Sequence, residues 1–147
     1  MSFQTVVAET FGFLVRDYAY ERVDRSDFKV GEFAEDRKYP LTISLGWYKG
    51  EIDINFTVAL DFVADHEVFR PYRSRMFALW EIATREQPAA YASLSARMKG
   101  HGYITNLEVA RVYLEESARI MKRFCAPILT GDFKQLEAIT LARAGPR

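Results

Sequence analysis

The sequence predicts an α+β fold: an N-terminal helix, an antiparallel β-sheet of three to four strands, and then three to four helices packed on one face. Three observations carry this. Two period-two runs of apolar residues flank a tight turn in the middle of the chain, helical three- and four-residue spacings lie on both sides of them, and the elements follow the order helix, strands, helices.

The first helix rests on Phe3, Val6, Val7, Thr10, Phe11, Leu14 and Val15, which recur at helical steps behind a capping Ser2 and predict an end near Arg16. Tyr18, Tyr20 and Val23, then Phe28, Val30 and Phe33, suggest two short strands around the polar turn Asp24–Asp27. Pro40 has no N–H to donate, which suits the start of the next strand.

The strongest local signal follows. Leu41, Ile43, Leu45 and Trp47 alternate with Thr42, Ser44, Gly46 and Tyr48; Ile52, Ile54, Phe56 and Val58 alternate with Glu51, Asp53, Asn55 and Thr57. Lys49 and Gly50 lie between, and Gly50 supplies the positive φ of a two-residue turn. That turn pairs Trp47 with Ile52, Leu45 with Ile54, Ile43 with Phe56 and Leu41 with Val58, so one face is wholly apolar and the other polar. A slip of one residue would invert both faces, which fixes the register. Such a hairpin does not stand alone, because burying one face does not offset the backbone entropy lost on ordering it. It needs a helical cover.

After Asp61 the spacing becomes helical. Met76, Leu79, Trp80 and Ala83 form a stripe, and Pro88 opens a short helix that stops at Gly100. Thr105-Asn106-Leu107-Glu108 has the form of a capping box before the longest helix, whose inner side is Leu107, Ala110, Leu114, Ala118, Met121 and Cys125. Pro127 bends or ends it, Gly131 offers a left-handed stop, and Asp132-Phe133-Lys134-Gln135 reads as a second capping box for a last helix with Phe133, Leu136 and Ile139 inward.

At 147 residues, with 49 % hydrophobic and 27 % charged, the chain is expected to be a single domain spanning 1–147. Twenty Lys and Arg balance twenty Asp and Glu, which removes the field that a generic nucleic-acid or anionic-membrane binder relies on. One cysteine and two histidines exclude disulfide scaffolds and zinc ribbons. No leader pattern and no run of roughly 18 apolar residues is present, so a cytoplasmic location is expected.

Each chemical candidate has a plainer account. His66, in Asp61-Phe62-Val63-Ala64-Asp65-His66-Glu67, has carboxylates beside it that could orient a base, but no second ligand at metal spacing, and a solvated loop histidine is the simpler expectation. His101 sits between Gly100 and Gly102 without a phosphate-loop pattern and reads as part of a helix-ending turn. Cys125 falls on an apolar stripe and reads as a buried thiol. Glu51 and Asp53 share one strand face about 7 Å apart, a separation seen in glycoside hydrolases and equally on any solvated sheet. Arg70, Arg73 and Arg75, interleaved with Phe69 and Tyr72, could grip single-stranded nucleic acid; salt bridges to Asp61, Asp65 and Glu67 are the simpler expectation.

FGFLVRDYAY at the front, WYKGEIDINF at the hairpin and ILTGDFKQLE near the end give the chain a family resemblance. With Phe13, Leu14, Val15, Asp17, Tyr18 and Tyr20, then Trp47, Gly50 and Glu51, then Leu129, Gly131, Asp132 and Phe133, it resembles small uncharacterised bacterial α+β proteins. Some of these look like immunity proteins encoded beside polymorphic toxins. Where a glycine commonly precedes the aromatic of the first motif, this chain has Ala19. The resemblance implies toxin neutralisation by binding and no catalytic residues.

The expectation is therefore a non-enzymatic protein, without cofactor or metal, that binds another macromolecule, in the immunity-like case a toxin, through Tyr48, Lys49, Glu51, Asp53 and Asn55. The alternative is a small ligand-binding protein or enzyme with a sheet–helix pocket using His66 or His101. Self-association into a symmetric homodimer is a third reading.

Overall fold

The computed structural model describes residues 2–25, 31–89, 92 and 103–145. Five strands, β1 (Glu21–Arg25), β2 (Gly31–Lys38), β3 (Leu41–Tyr48), β4 (Glu51–Val58) and β5 (Met76–Ala78), form one sheet in the order β1-β2-β3-β4-β5, each antiparallel to its neighbour. The fold is α+β with an N-terminal helix, as the sequence predicts, but the sheet is wider than the predicted three to four strands. The extra strand is β5. It pairs only Asn55–Thr57 of β4 and runs straight into a helix, so its three residues carry no alternation to read.

The hairpin takes the predicted register, from Leu41 opposite Val58 to Tyr48 opposite Glu51. Lys49 and Gly50 both adopt positive φ, 49° and 81°, matching the right-handed twist of the flanking strands. Leu41, Ile43, Leu45, Ile52, Ile54, Phe56 and Val58 are buried, with Trp47 partly so. Thr42, Ser44, Asn55 and Thr57 are half-buried on the opposite face, and Glu51 and Asp53 are exposed. Of the predicted polar turn Asp24–Asp27, Asp24 and Arg25 belong to β1 and residues 26–27 lie outside the described residues, as do Phe28 and Val30 of the predicted second strand; Tyr18, expected in the first strand, ends a helix. β2 runs on to Lys38, further than its apolar residues suggest, and the charged half of it is held by pairing with β1 on one side and β3 on the other.

The predicted N-terminal helix is two: α1 (Phe3–Thr10), with Thr5 N–H donating to Ser2 Oγ at 3.1 Å, and α2 (Gly12–Tyr18). The break has a packing cause. Phe11, Gly12, Phe13 and Leu14 are all buried, and four consecutive residues span more than one face of a continuous helix. The chain reorients at Phe11, and Val15 turns outward at 42 % exposure. Ala19 ends α2 in the left-handed conformation at φ 61°, a conformation that favours glycine.

Two short helices, α3 (Leu60–Ala64) and α4 (Phe69–Tyr72), lead from β4 to β5. In α5 (Leu79–Glu86) the buried face is Leu79, Ile82 and Ala83; Met76 and Trp80, read from spacing as part of the inner stripe, are 58 % and 52 % exposed. Met76 belongs to β5, which displaces the helix phase. Pro88 and Ala89 are helical, and Gly100 lies outside the described residues.

The long helix α6 (Leu107–Phe124) buries Ala110, Leu114, Ala118 and Met121 as predicted, with Cys125 at its end. Its cap is Asn106, whose side chain accepts from Val109 N–H at 2.9 Å; the Thr105 box does not form. After α7 (Ala126–Leu129), α8 (Lys134–Ala144) likewise lacks the second box. Asp132 accepts from Lys134 N–H, but Gln135 donates to the Phe124 carbonyl at 2.7 Å instead of reaching back. Phe133, Leu136 and Ile139 point inward. Helices and sheet share one apolar cluster, in which Phe3 of α1 lies 5.8 Å from Trp47 of β3.

Candidate functional site

The polar end of the β3–β4 hairpin gathers the predicted contact residues. Tyr48 is 36 % exposed, Lys49, Glu51 and Asp53 are exposed, and Asn55 is half-buried. Period-two alternation puts Glu51, Asp53 and Asn55 on one face of β4, and the turn aligns Tyr48 opposite Glu51. The Lys49 ammonium lies 5.2 Å from the Tyr48 ring centre.

Two aromatics join this surface that sequence spacing does not assign to it. Tyr103, 70 % exposed, packs so closely on Gly50 that a Cβ there would lie 2.6 Å from the Tyr103 Cβ. The following residue is tied to the hairpin: Ile104 N–H donates to Gly50 O at 2.8 Å, and Trp47 Nε1 donates to Ile104 O at 2.9 Å. Trp80 lines a small hollow of about 60 Å³ together with Asp53 and Asn55, beside the stretch of β4 that β5 does not reach. That volume admits ordered water and is too small for a substrate.

His66 is not a solvated loop histidine. Its ring stacks on Phe69 with centroids 4.2 Å apart, and its Nδ1 accepts from the backbone N–H of Val68 and Phe69 at 3.1 and 3.2 Å. With Nδ1 accepting, a neutral ring carries its proton on Nε2, which faces Glu137 Oε1 at 3.5 Å. A histidine and a carboxylate therefore converge, but His66 does not line the hollow beside Trp80. The ring organises the α3–α4 connection. His101 lies outside the described residues.

Cys125 is fully buried, and burial pushes its thiol up to about 12, away from the thiolate a nucleophile needs. Glu51 and Asp53 share a face as expected but stand exposed, with no cleft between them deep enough to exclude water. Arg70, Arg73 and Arg75 form no ion pair with Asp61, Asp65 or Glu67; Asp61 accepts instead from Tyr39 Oη at 2.9 Å. Phe69 is buried, so it offers no stacking surface to a nucleic-acid base. Among the described residues no group of three or more His, Cys, Asp or Glu is placed to hold a metal ion, and no helix is long and apolar enough to cross a membrane.

Sequence spacing also misses a buried ion pair on the inner face of the sheet. Asp36, fully buried, receives Arg22 Nε at 2.6 Å and a terminal guanidinium nitrogen at 2.9 Å; Arg22 also donates to Phe11 O. The signal was the cross-strand placement of Arg22 opposite Asp36, visible only once the β1–β2 register is known. No family model, curated protein or solved structure matches the chain.

Proposed function

We propose that this is a non-catalytic binding protein that docks a partner protein carrying a basic patch on the hairpin end of its sheet, in the manner of an immunity protein on its toxin. One observation supports this best: Tyr48, Trp80 and Tyr103, all at least 36 % exposed, flank the exposed carboxylates of Glu51 and Asp53 on a sheet-supported surface. Aromatic side chains bring large contact area with few rotamers to freeze, and acids at the rim steer a basic partner into register.

Retention of proteins from the source-cell lysate on immobilised wild-type chain is compared with retention on Glu51→Lys/Asp53→Lys and on Trp80→Ala, with circular dichroism confirming that each variant folds. A partner that is basic, held by the wild type, released at raised salt and lost on both variants is the expected result. Equal retention on folded charge-reversed chain overturns the placement.

A further inference from the structure

At the end of the sheet remote from the Lys49–Gly50 turn, the connection from β4 to β5 builds a second recognition surface. Leu60, Val63 and Ala64, three and four residues apart on α3, form an apolar wall, and Arg70, Arg73 and Arg75 line the rest of a cleft of about 340 Å³. That is within the lower part of the range, about 300–1,000 Å³, in which small ligands are held.

Arg70, Arg73 and Arg75, like Arg16, Arg85 and Arg123, form no ion pair among the described residues, whereas Arg22, Arg37, Arg111, Arg119 and Arg143 each find a carboxylate. Arg75 is anchored: its backbone O accepts from Val58 N–H at 2.8 Å and its Nε donates to Val58 O at 3.1 Å, which leaves the two terminal nitrogens for another acceptor. Arg73 is fixed by the end of α4, in the left-handed conformation at φ 51° with its N–H on Arg70 O. A guanidinium with no paired carboxylate can offer an anion two parallel N–H bonds.

The floor decides what kind of anion. An inorganic ion gains nothing from Leu60, 65 % exposed, or from Val63, whereas an apolar chain gains by covering them. We propose that this cleft binds a small organic anion, a carboxylate or phosphate monoester carried on an apolar body, with the head group on Arg70, Arg73 and Arg75 and the body against Leu60, Val63 and Ala64. The site is independent of the hairpin surface and does not require a protein partner.

Isothermal titration calorimetry with octyl phosphate, held below its micelle-forming concentration, tests this. Saturable binding of one equivalent is expected, with inorganic phosphate and octanol each at least tenfold weaker. Arg70→Gln/Arg73→Gln lowers affinity at least tenfold with the urea midpoint unchanged, since neither side chain has a hydrogen-bond or ion-pair partner to lose among the described residues. Leu60→Glu, which supplies a competing carboxylate at the cleft, does the same. Octanol binding as tightly as octyl phosphate, or the double arginine variant binding like the wild type, overturns the proposal. A third arm uses phosphatidylglycerol vesicles: sedimentation with them that octyl phosphate does not displace overturns it in favour of a membrane-facing surface.

Discussion

Asp36 shows how one side chain constrains the structure around it. A carboxylate on the apolar face of the sheet persists there because Arg22 meets it with two hydrogen bonds. Removing one partner leaves a charge in a poorly solvated site, a loss of roughly 3–5 kcal/mol, and the low end applies because the Arg22 side chain keeps 14 % exposure. Asp36→Ala is expected to cost about 3 kcal/mol in urea unfolding, and Arg22→Met/Asp36→Leu to recover most of it; a double variant as unstable as the single one would contradict this account. Cys125 and Tyr20 make stability depend on pH on the alkaline side. Burial raises both, Cys125 from 9.0 to about 12 and Tyr20, whose Oη donates to Leu129 O, upward from 10.0. The folded chain then keeps protons that the unfolded chain has released, so the contribution of these two groups to stability is complete below pH 9 and is lost as pH rises from there through the folded values. Cys125→Ala is expected to reduce that slope between pH 9 and 12 by up to one proton's worth, about 1.4 kcal/mol per pH unit, as followed by urea unfolding at stepped pH.

Among the elements, the hairpin was legible to the residue and its neighbours were not, for reasons that differ in each case. Strict alternation on both sides of Lys49–Gly50 leaves one register that buries every apolar side chain. β2 hides because its inward positions include Asp36, whose partner comes from another strand, and because Phe33, an aromatic, lies on the outer face against Gly46. The split of the first helix hides because periodicity reports which residues are apolar and not that four in a row must be buried. Two substitutions test the backbone account with opposite signs. Gly50→Ala is expected to cost about 1–3 kcal/mol, through its φ of 81° and through the Tyr103 contact. Ala19→Gly, at φ 61°, is expected to raise stability by about 0.5–1 kcal/mol. Urea midpoints that move in the same direction for both would rule out left-handed strain as the common cause.

Over the whole molecule, sheet and helices separate two surfaces by the length of β4, eight residues or about 25 Å. Tyr48, Lys49, Glu51 and Asp53 could be read from the sequence because hairpin alternation exposes them. Trp80 could not, since a tryptophan at helical spacing from Leu79 and Ala83 reads as core until β5 fixes the phase of α5. The arginine cleft was legible as composition only: FRPYRSR announces a basic cluster, but whether its charges are neutralised by Asp61, Asp65 and Glu67 is decided by how α3 and α4 turn.

Because β5 stops after three residues, the backbone of Glu51–Ile54 has no neighbouring strand on that flank among the described residues. Such a margin invites another copy of the chain to add itself in β fashion, and negative charge is a common guard against this. Glu51 and Asp53 stand along that margin and are expected to act as gatekeepers there. Glu51→Ala/Asp53→Ala should therefore drift toward aggregates with a rising thioflavin T signal, whereas Glu51→Lys/Asp53→Lys, equally stripped of its acids but still charged, should stay dispersed.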